Sequence, residues 1–264
     1  MAESKSIVLI TGGHYKLLPS CLITQLTNPT ANGGIGFELA AQLMAKGTYH
    51  VLVGARSTFK GEAAVKDLQS RNYPGTCELL QVDLTDDESI SHAVKDVESS
   101  HGRLDCLVNN AAVAIQDPPT RQGMHDSFET NVIGVVFLTA AFTPLLKKSN
   151  TTARIINVSS GIGSVTLKMD HSNPVSAQQQ VTYRTSKSAL NMVTACLTYE
   201  HKDDAIVVLS YCPGFTESNL SAHNNAANGA KPVAEGARPL AGMVGGEKDG
   251  DVGKFSHGEG TYPW

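Results

Sequence analysis

The distribution of apolar residues predicts a chain in which strands and helices alternate. Short runs of apolar and β-branched residues are typical of buried parallel strands. They occur at residues 6–12, 50–56, 77–82, 104–108, 154–158 and 205–211, with a shorter edge strand at 253–256. Longer segments with helical spacing predict helices near residues 37–47, 60–71, 87–100, 123–148, 183–197 and 232–244. This alternation indicates an α/β fold, a doubly wound parallel sheet of about seven strands with helices on both faces.

Length and composition narrow the class of protein. The 264 residues contain 41% apolar and 17% charged residues, and no repeat or linker divides them, so we expect one domain spanning residues 1–264. The net charge of -4 argues against nucleic acid or an anionic membrane as the main partner. No run approaches the ~18 apolar residues of a membrane span. The first residues lead into a strand without a secretory signal, so we expect a cytoplasmic protein.

Cysteine and histidine usage predicts neither disulfides nor a metal site. The five cysteines are widely spaced and form no Cys-x-x-Cys pair, so reduced, buried thiols are expected. The nine histidines show no metal-ligand spacing.

The most informative stretch is Tyr183-Arg184-Thr185-Ser186-Lys187. Residues four apart project from the same face of a helix, so the phenol and the ammonium lie close together. A nearby ammonium favours the phenolate and lowers the pKa of a tyrosine, which makes it a usable acid or base. The same spacing also occurs by chance in many helices, so its meaning depends on the surrounding motifs.

Those motifs resemble the short-chain dehydrogenase/reductases over nearly the whole chain. Thr11-Gly12 and Gly34-Ile35-Gly36 are similar to the two ends of that family's glycine-rich cofactor turn, and Asn109-Asn110-Ala111-Ala112 is similar to its Asn-Asn-Ala-Gly motif. Pro213-Gly214 matches its Pro-Gly motif. The catalytic tetrad of the family falls on Asn131, Ser160, Tyr183 and Lys187. The closest likeness within the family is to its carbonyl-reductase-like branch.

The resemblance implies a Rossmann fold that binds NAD(P) and a set of cofactor-binding residues. These are Thr11, Gly12, Asn32, Gly34, Ile35, Gly36, Arg56, Asp83, Leu84, Asn110, Ala111, Tyr183, Lys187, Pro213, Gly214 and Ser218. It also implies the chemistry. Tyr183 would donate a proton to the carbonyl oxygen that receives hydride at its carbon, and Ser160 would hydrogen-bond that oxygen. Lys187 would hold the ribose and lower the pKa of Tyr183, and Asn131 would anchor a water that relays protons.

The end of the second strand predicts the choice of cofactor. In dinucleotide folds an acid at this place binds the 2′-hydroxyl of NAD. Here Ala55 stands in that place and Arg56 follows. Alanine does not repel a 2′-phosphate and a guanidinium binds it, so NADPH is favoured over NADH.

One departure from the family pattern lies in the glycine turn. Gly12 and Gly34 lie 22 positions apart, whereas the family places them 4 apart, an excess of 18 residues. Removing Gly13 through Thr30 restores the family string, so residues 13–30 are read as an irregular insert. The insert is either a genuine protein segment or a translated, unspliced intron, for which 18 codons would be 54 nucleotides. It falls where the pyrophosphate meets the helix N-terminus, and it could disable the site or bulge away from it.

Several functional alternatives remain open. The polar loop at about 216–231 is either a substrate lid or an ordinary surface connection. The first function is reduction of a ketone or aldehyde by NADPH. The second is an NAD(P)-dependent alcohol dehydrogenase, and the third is a dinucleotide-binding protein whose catalysis is impaired by the insert. The 22 residues between Ser160 and Tyr183 resemble a carbonyl-reductase segment that covers the dimer face, so a monomer is favoured over a homodimer.

Overall fold

An eight-stranded sheet runs through the part of the chain that the computed structural model describes, residues 5–12, 34–115, 118–258 and 260–264. The strand order is β3-β2-β1-β4-β5-β6-β7-β8, and β8 alone is antiparallel to its neighbour. The strands are β1 (Ser6–Thr11), β2 (Tyr49–Ala55), β3 (Thr76–Gln81), β4 (Cys106–Asn109), β5 (Ala153–Val158), β6 (Ile206–Cys212), β7 (Phe255–His257) and β8 (Gly260–Tyr262).

The strand order reverses beside β1, and this reversal positions the site. β1 pairs in parallel with β2 on one side and with β4 on the other. The connections that leave these two neighbours run in opposite directions across the sheet. A crevice therefore opens at the carboxyl ends of β1 and β4, where ligands of doubly wound proteins bind.

Helices cover both faces of the sheet. They are α1 (Ile35–Lys46), α2 (Thr58–Ser70), α3 (Asp87–His101), α4 (Arg121–Phe128), α5 (Gly134–Leu146), α6 (Val165–Met169), α7 (Val181–Glu200) and α8 (Val233–Val244). One buried cluster joins α1 and α8 to the sheet through residues such as Leu39 and Leu240. The other joins α3 and α5 through residues such as Val97 and Phe142. The strands β1, β2, β4, β5 and β6 are buried along most of their length because both faces of the sheet are covered.

The predicted α/β fold is confirmed, with two local differences. The sheet has one strand more than the seven predicted, because Gly260–Tyr262 is too short and too polar to give a strand pattern. The helix predicted at 123–148 is interrupted by a π turn at Glu129–Ile133, in which the amide of Gly134 bonds to the carbonyl of Glu129. A π turn leaves the apolar spacing nearly unchanged, so the pattern does not reveal it.

The helical run Arg121–Leu146 has the length and composition of a membrane span. In its most apolar window 44% of the residues are buried. Leu138, Phe142 and Leu145 contribute to the cluster beneath α3 and α5. Packing on the sheet therefore accounts for the buried apolar residues of this helix, while Ile133, Val136 and Phe137 are exposed.

Some sequence predictions concern residues outside the described ranges or differ in detail. The insert 13–30 and Asn32 both lie outside the described residues. Cys77, Cys106 and Cys212 are free and buried, as predicted, whereas Cys196 is free but exposed on α7.

Candidate active site

A cleft at the carboxyl edge of the sheet brings together most of the residues predicted to bind cofactor. It lies between the ends of β1, β2, β4 and β6. Its lining includes twelve of the predicted residues: Gly12, Gly34, Ile35, Arg56, Asp83, Leu84, Asn110, Ala111, Tyr183, Lys187, Pro213 and Ser218. The sequence prediction thus converges on one place in the fold.

Thr11 lies behind the cleft and ties two strands together. Its side chain is fully buried, and its Oγ1 accepts hydrogen bonds of 3.1 Å from the amides of both Asn110 and Ala111. The Asn110 Nδ2 returns a 2.9 Å bond to the carbonyl of Thr11. Thr11 therefore fixes the end of β1 to the turn after β4 and does not itself face the cleft.

The glycines of the cofactor motif stand where side chains would intrude. At Gly12, which has a φ of 65°, a Cβ would lie 2.9 Å from the Cα of Ala111. At Gly36 a Cβ would lie 2.5 Å from the Asn110 Nδ2. Gly34 is the N-cap of α1, and a Cβ there would meet nothing within 4 Å. Gly34 and Ile35 at the start of α1 line the cleft, and neither Gly34 nor Gly36 places a side chain there, which fits a pyrophosphate bound at a helix N-terminus.

Tyr183 and Lys187 project from the first two turns of α7 into the cleft. Their exposed fractions are 8% and 2%. The Lys187 Nζ donates a 2.8 Å hydrogen bond to the carbonyl of Val158 at the end of β5 and lies 5.7 Å from the centre of the Tyr183 ring. The helix thus presents the phenol and the ammonium to the cleft from one face, as their spacing predicts.

Burial controls the ionisation of both groups. Burial lowers the pKa of Lys187 from 10.5 to about 8, with a small opposing effect from the Cys212 thiol. Burial also raises the pKa of Tyr183, and Cys212 adds to that rise. The direction for Tyr183 is opposite to the one predicted from the Tyr-x-x-x-Lys spacing. The reason is that loss of hydration penalises the phenolate, and no stabilising effect of Lys187 offsets this penalty.

The two serines after β5 have different surroundings. Ser159 is buried, and its Oγ donates a 2.5 Å hydrogen bond to the Asn191 Oδ1. Ser160 is half-buried at the start of a 3₁₀ turn, Gly161–Gly163, and its carbonyl accepts the amide of Gly163. Within the described ranges no hydrogen bond engages the Ser160 hydroxyl. Of the two hydroxyls, the one predicted to contact substrate is the one with no internal partner.

Asn131 lies in the π turn and is fully buried beside α7. Its Oδ1 accepts the amide of Val113 at 2.8 Å, and its Nδ2 donates to the carbonyl of Val113 at 2.9 Å and to the Ser186 Oγ at 3.0 Å. The side-chain amide is therefore engaged with the segment after β4 and with α7. This arrangement holds two walls of the site together, a contact that the sequence does not indicate.

The charges of the cleft are unequal. Its described lining carries two cations, Arg56 and Lys187, and one acid, Asp83. The Asp83 Oδ1 accepts hydrogen bonds from the amide and hydroxyl of Thr85, at 3.0 and 2.8 Å. Arg56 is exposed one residue beyond β2, and no described residue forms an ion pair or hydrogen bond with its guanidinium. The far end of the cleft is thus suited to an anionic group.

The loop at 216–231 closes on itself beside the cleft. Thr216 and Lys231 form an isolated parallel bridge, and the amide of Glu217 donates a 2.9 Å hydrogen bond to the carbonyl of Lys231. From its near side Ser218, Asn219 and Leu220 reach the cleft lining.

Other lining residues were not singled out from the sequence. Val113 and Thr130 flank Asn131 in the site, and Val158 supplies the carbonyl that holds Lys187. Each lies within two residues of a recognised motif or strand end. Their positions could have been proposed from that adjacency, but their contacts could not.

The doubly wound sheet, the glycine-lined crevice and the Tyr–Lys pair define a dinucleotide-binding oxidoreductase. A family model described as short chain dehydrogenase matches residues 30–229, and the chain belongs to this family. It is 38% identical over 245 residues to the short-chain dehydrogenase anuI of Penicillium roqueforti, covering 90% of this chain and 88% of that one. It is 33% identical over 272 residues to the short-chain dehydrogenase/reductase tropE of Talaromyces stipitatus, covering 96% and 95%.

Solved structures agree with this assignment. The NADPH-bound carbonyl reductase from chicken fatty liver superposes with a TM-score of 0.79 at 25% identity, covering 99% of this chain and 100% of that one. A 3-oxoacyl-[acyl-carrier protein] reductase from Brucella melitensis, in complex with NAD, superposes with a TM-score of 0.77 at 20% identity, covering 97% and 96%. The second likeness concerns the fold alone. The family accordingly makes this chain an oxidoreductase that uses a nicotinamide dinucleotide.

Proposed function

We propose that the protein reduces a ketone or aldehyde to an alcohol with NADPH, with Tyr183 as the proton donor. The observation that carries this proposal is the pair of Tyr183 and Lys187, buried side by side on α7 at the cleft. A buried phenol that faces a ligand cleft has few roles other than hydrogen bonding or proton transfer.

The roles of the residues follow from their positions. When bound, the cofactor supplies hydride to the carbonyl carbon. Tyr183 gives its proton to the carbonyl oxygen, and Ser160 donates a hydrogen bond to the same oxygen as negative charge develops. The start of α1 would hold the pyrophosphate, with Gly12 beside it in the cleft. Asn131 positions the wall of the site through Val113, and Lys187 holds the ribose and returns a proton to Tyr183.

The ionisation of Tyr183 is compatible with the reductive direction. Burial raises the pKa of the phenol, so Tyr183 holds its proton at neutral pH. Reduction needs this protonated form, whereas oxidation of an alcohol needs the phenolate as base. An NAD(P)-dependent alcohol dehydrogenase remains the second candidate, because microscopic reversibility lets the same residues run both ways.

Arg56 supports NADPH as the cofactor. A 2′-phosphate placed beside this exposed guanidinium would gain charge-assisted hydrogen bonds, and Ala55 offers no competing carboxylate. The chicken carbonyl reductase is bound to NADPH, while the Brucella enzyme is in complex with NAD. Because these two structures differ in cofactor, the proposal of NADPH over NADH rests on the surroundings of Arg56.

Two further expectations from the sequence stand beside this proposal. A catalytically impaired protein is an alternative to it, which rests on residues 13–30 and is tested by cofactor binding. A monomer is the other expectation, and it rests on the segment before Tyr183. The carbonyl of Trp264 bonds to Thr166 in that segment at 2.9 Å, while Ile133, Val136 and Phe137 at α5 stay exposed. Sedimentation at the mass of one chain would support the monomer, and a stable dimer or tetramer would contradict it.

The decisive experiment compares Tyr183→Phe with the unchanged chain over a panel of ketones and aldehydes. The variant should lose carbonyl-dependent NADPH oxidation by a factor of ~10² or more while it still binds NADPH, because only the proton donor is lost. Tyr199→Phe is the matched control, since Tyr199 lies on the same helix and is 72% exposed. Near-normal kcat in Tyr183→Phe would refute the mechanism. An unchanged chain that binds no cofactor would instead support the impaired alternative.

A further inference from the structure

A second cluster of chemically active side chains lies at the amino edge of the sheet, away from the cleft. His50 is on β2, Glu78 is on β3, and His101 is the last residue of α3. In the register of the sheet His50 pairs with Thr76. Glu78 lies two residues beyond Thr76 and therefore on the same face. The sequence gives no metal motif here, because the three residues come from three elements.

The ligand atoms of this His50–Glu78–His101 cluster converge. One nitrogen of each ring and a carboxylate oxygen all lie within 4.8 Å of one another. The Glu78 Oε1 is 2.8 Å from the His101 Nε2 and 3.5 Å from the His50 Nε2. Ligands 2.0–2.1 Å from a tetrahedral Zn²⁺ are about 3.4 Å apart. The cluster therefore needs only a small opening between Glu78 and His101 to hold such an ion.

The Nε2 of His50 is one of seven buried side-chain polar atoms that lack a hydrogen-bond partner among the described residues. The Glu78 oxygen at 3.5 Å lies beyond the usual hydrogen-bond length. On the other side of the ring, Nδ1 lies 2.7 Å from the Thr76 Oγ1. When Nδ1–H donates to Thr76, the Nε2 lone pair points towards the carboxylate, an arrangement that a cation between them would stabilise.

We propose that His50, Glu78 and His101 form a binding site for a divalent transition-metal ion, with Zn²⁺ as the ion that fits best. Two imidazoles and one carboxylate suit Zn²⁺ better than Mg²⁺ or Ca²⁺, which prefer oxygen ligands. Water would complete the coordination. Thr76 acts as the hydrogen-bond partner that fixes the orientation of His50, as partners of metal-bound histidines commonly do.

The surroundings are compatible with this assignment. Lys5 is a neighbouring cation, with its Nζ 3.0 Å from the carbonyl of Pro74 and 3.5 Å from the Thr76 Oγ1, and both contacts are exposed to solvent.

The metal site lies far from the active-site cleft, so a bound ion would act on the stability of the fold and not on the reaction. His50 and Arg56 stand at opposite ends of β2, roughly 20 Å apart at the rise of a strand. A bound ion would join β2, β3 and the end of α3. Because it binds the folded chain preferentially, it would raise the unfolding temperature while leaving the cleft unchanged.

The experiment titrates ZnCl₂ into the untagged, chelator-washed full chain by isothermal calorimetry. We expect one Zn²⁺ per chain. His50→Gln and His101→Gln should each raise the dissociation constant for Zn²⁺ by about 10- to 100-fold or abolish binding. His92→Gln is the matched control, because His92 is an exposed histidine of the same helix α3 and should leave binding unchanged. In parallel, the Zn²⁺-dependent rise in unfolding temperature should disappear in both ligand variants.

Three results would overturn the proposal. These are no binding by the unchanged chain, binding that both ligand variants retain, or binding that His92→Gln loses equally. Unfolding temperatures in chelator show whether each variant is folded. The two ligand variants are independent, so one that folds suffices. Visible absorption of the Co²⁺-loaded chain, lost in His101→Gln, would report coordination directly.

Discussion

The Nζ atom of Lys187 lies 5.7 Å from the centre of the Tyr183 ring, and both side chains are almost wholly buried. The two groups share one desolvated environment, which drives each of them towards its neutral form. The pKa of the phenol rises, and the pKa of the ammonium falls to about 8. Loss of the proton from Tyr183 is therefore costly, and so is retention of the proton on Lys187. Perturbed pKa values of this kind are common in groups that exchange protons with a reacting ligand.

This environment predicts a conflict between activity and stability at Lys187. Its pKa is 10.5 for the free group and about 8 in the fold, so between these values the unfolded chain binds more protons. Below about pH 8 the buried ammonium destabilises the fold, and the cost fades as pH rises towards 10.5. Lys187→Met should thus be more stable than the unchanged chain at pH 7, by an amount that shrinks towards pH 10, and inactive throughout.

Urea unfolding at several pH values without cofactor would measure this difference. Comparing the two chains cancels the other titrating groups. Lys202→Met serves as the control, since the Lys202 ammonium lies on the surface over the Tyr199 ring. A stability difference independent of pH would contradict the burial of a titrating lysine.

Arg56 provides a test of cofactor choice. Arg56→Ala should weaken NADPH binding by about 1.5–3 kcal/mol, or roughly 10- to 150-fold, the range for charge-assisted hydrogen bonds. NADH binding should barely change. Fluorescence titrations with both cofactors would measure the two constants, with the exposed Lys60→Ala on α2 as control. Equal losses for NADPH and NADH would show that Arg56 does not read the phosphate.

Arg184 holds the segment 162–179, which precedes Tyr183 along the chain. The residue is 6% exposed, and among the described residues its guanidinium donates to main-chain carbonyls alone. These belong to Ile162 at 2.8 Å, Gln179 at 2.9 Å, Gln178 at 3.1 Å and Val175. Removal of the guanidinium leaves these carbonyls without their donors.

We expect Arg184→Ala to lower the free energy of unfolding by about 2–4 kcal/mol and to raise KM more than it lowers kcat. Arg184→Lys keeps one ammonium and should recover only part of the loss, since it lacks the planar fork of donors. Urea unfolding and steady-state kinetics measure both effects. A variant with unchanged stability would show that the segment 162–180 holds its shape without this residue.

The residues that interrupt the glycine motif give the riskiest prediction. Deleting Gly13 through Thr30 joins Gly12 to Ala31 and restores the family spacing. The deletion should tighten NADPH binding and raise activity, because the pyrophosphate needs a tight turn that aims backbone amides at one point. Paired dissociation constants for the full and shortened chains test it. Equal binding would show that the full chain already forms a competent site.

The sequence predicts the sheet well where burial is complete. The strands β1 to β6 are found within about two residues because runs such as Ile7–Ile10 are apolar on both faces. The strand β8 is missed, since Gly260–Tyr262 is short and only partly buried. A run of apolar residues indicates that a segment is buried on both faces. A three-residue edge strand is only partly buried, so it has no such run.

The site is predicted by residue type but not by environment. The motif spacing places Tyr183, Lys187 and Arg56 at one cleft. It does not show that Tyr183 loses its hydration, so the direction of its pKa shift is wrong. Nor does it show that Asn131 spends its amide on Val113 and Ser186. Such facts depend on which surfaces meet in three dimensions, and the spacing along the chain carries no record of them.

The buried hydroxyl of Thr11 has a wider consequence. It accepts hydrogen bonds from two amides of the turn after β4, so the last residue of β1 is anchored from the side. A change in the length of the chain after Gly12 therefore acts on a strand end that Thr11 holds in place. In a protein built this way, the loop beside the ligand can change in length while the catalytic residues keep their positions.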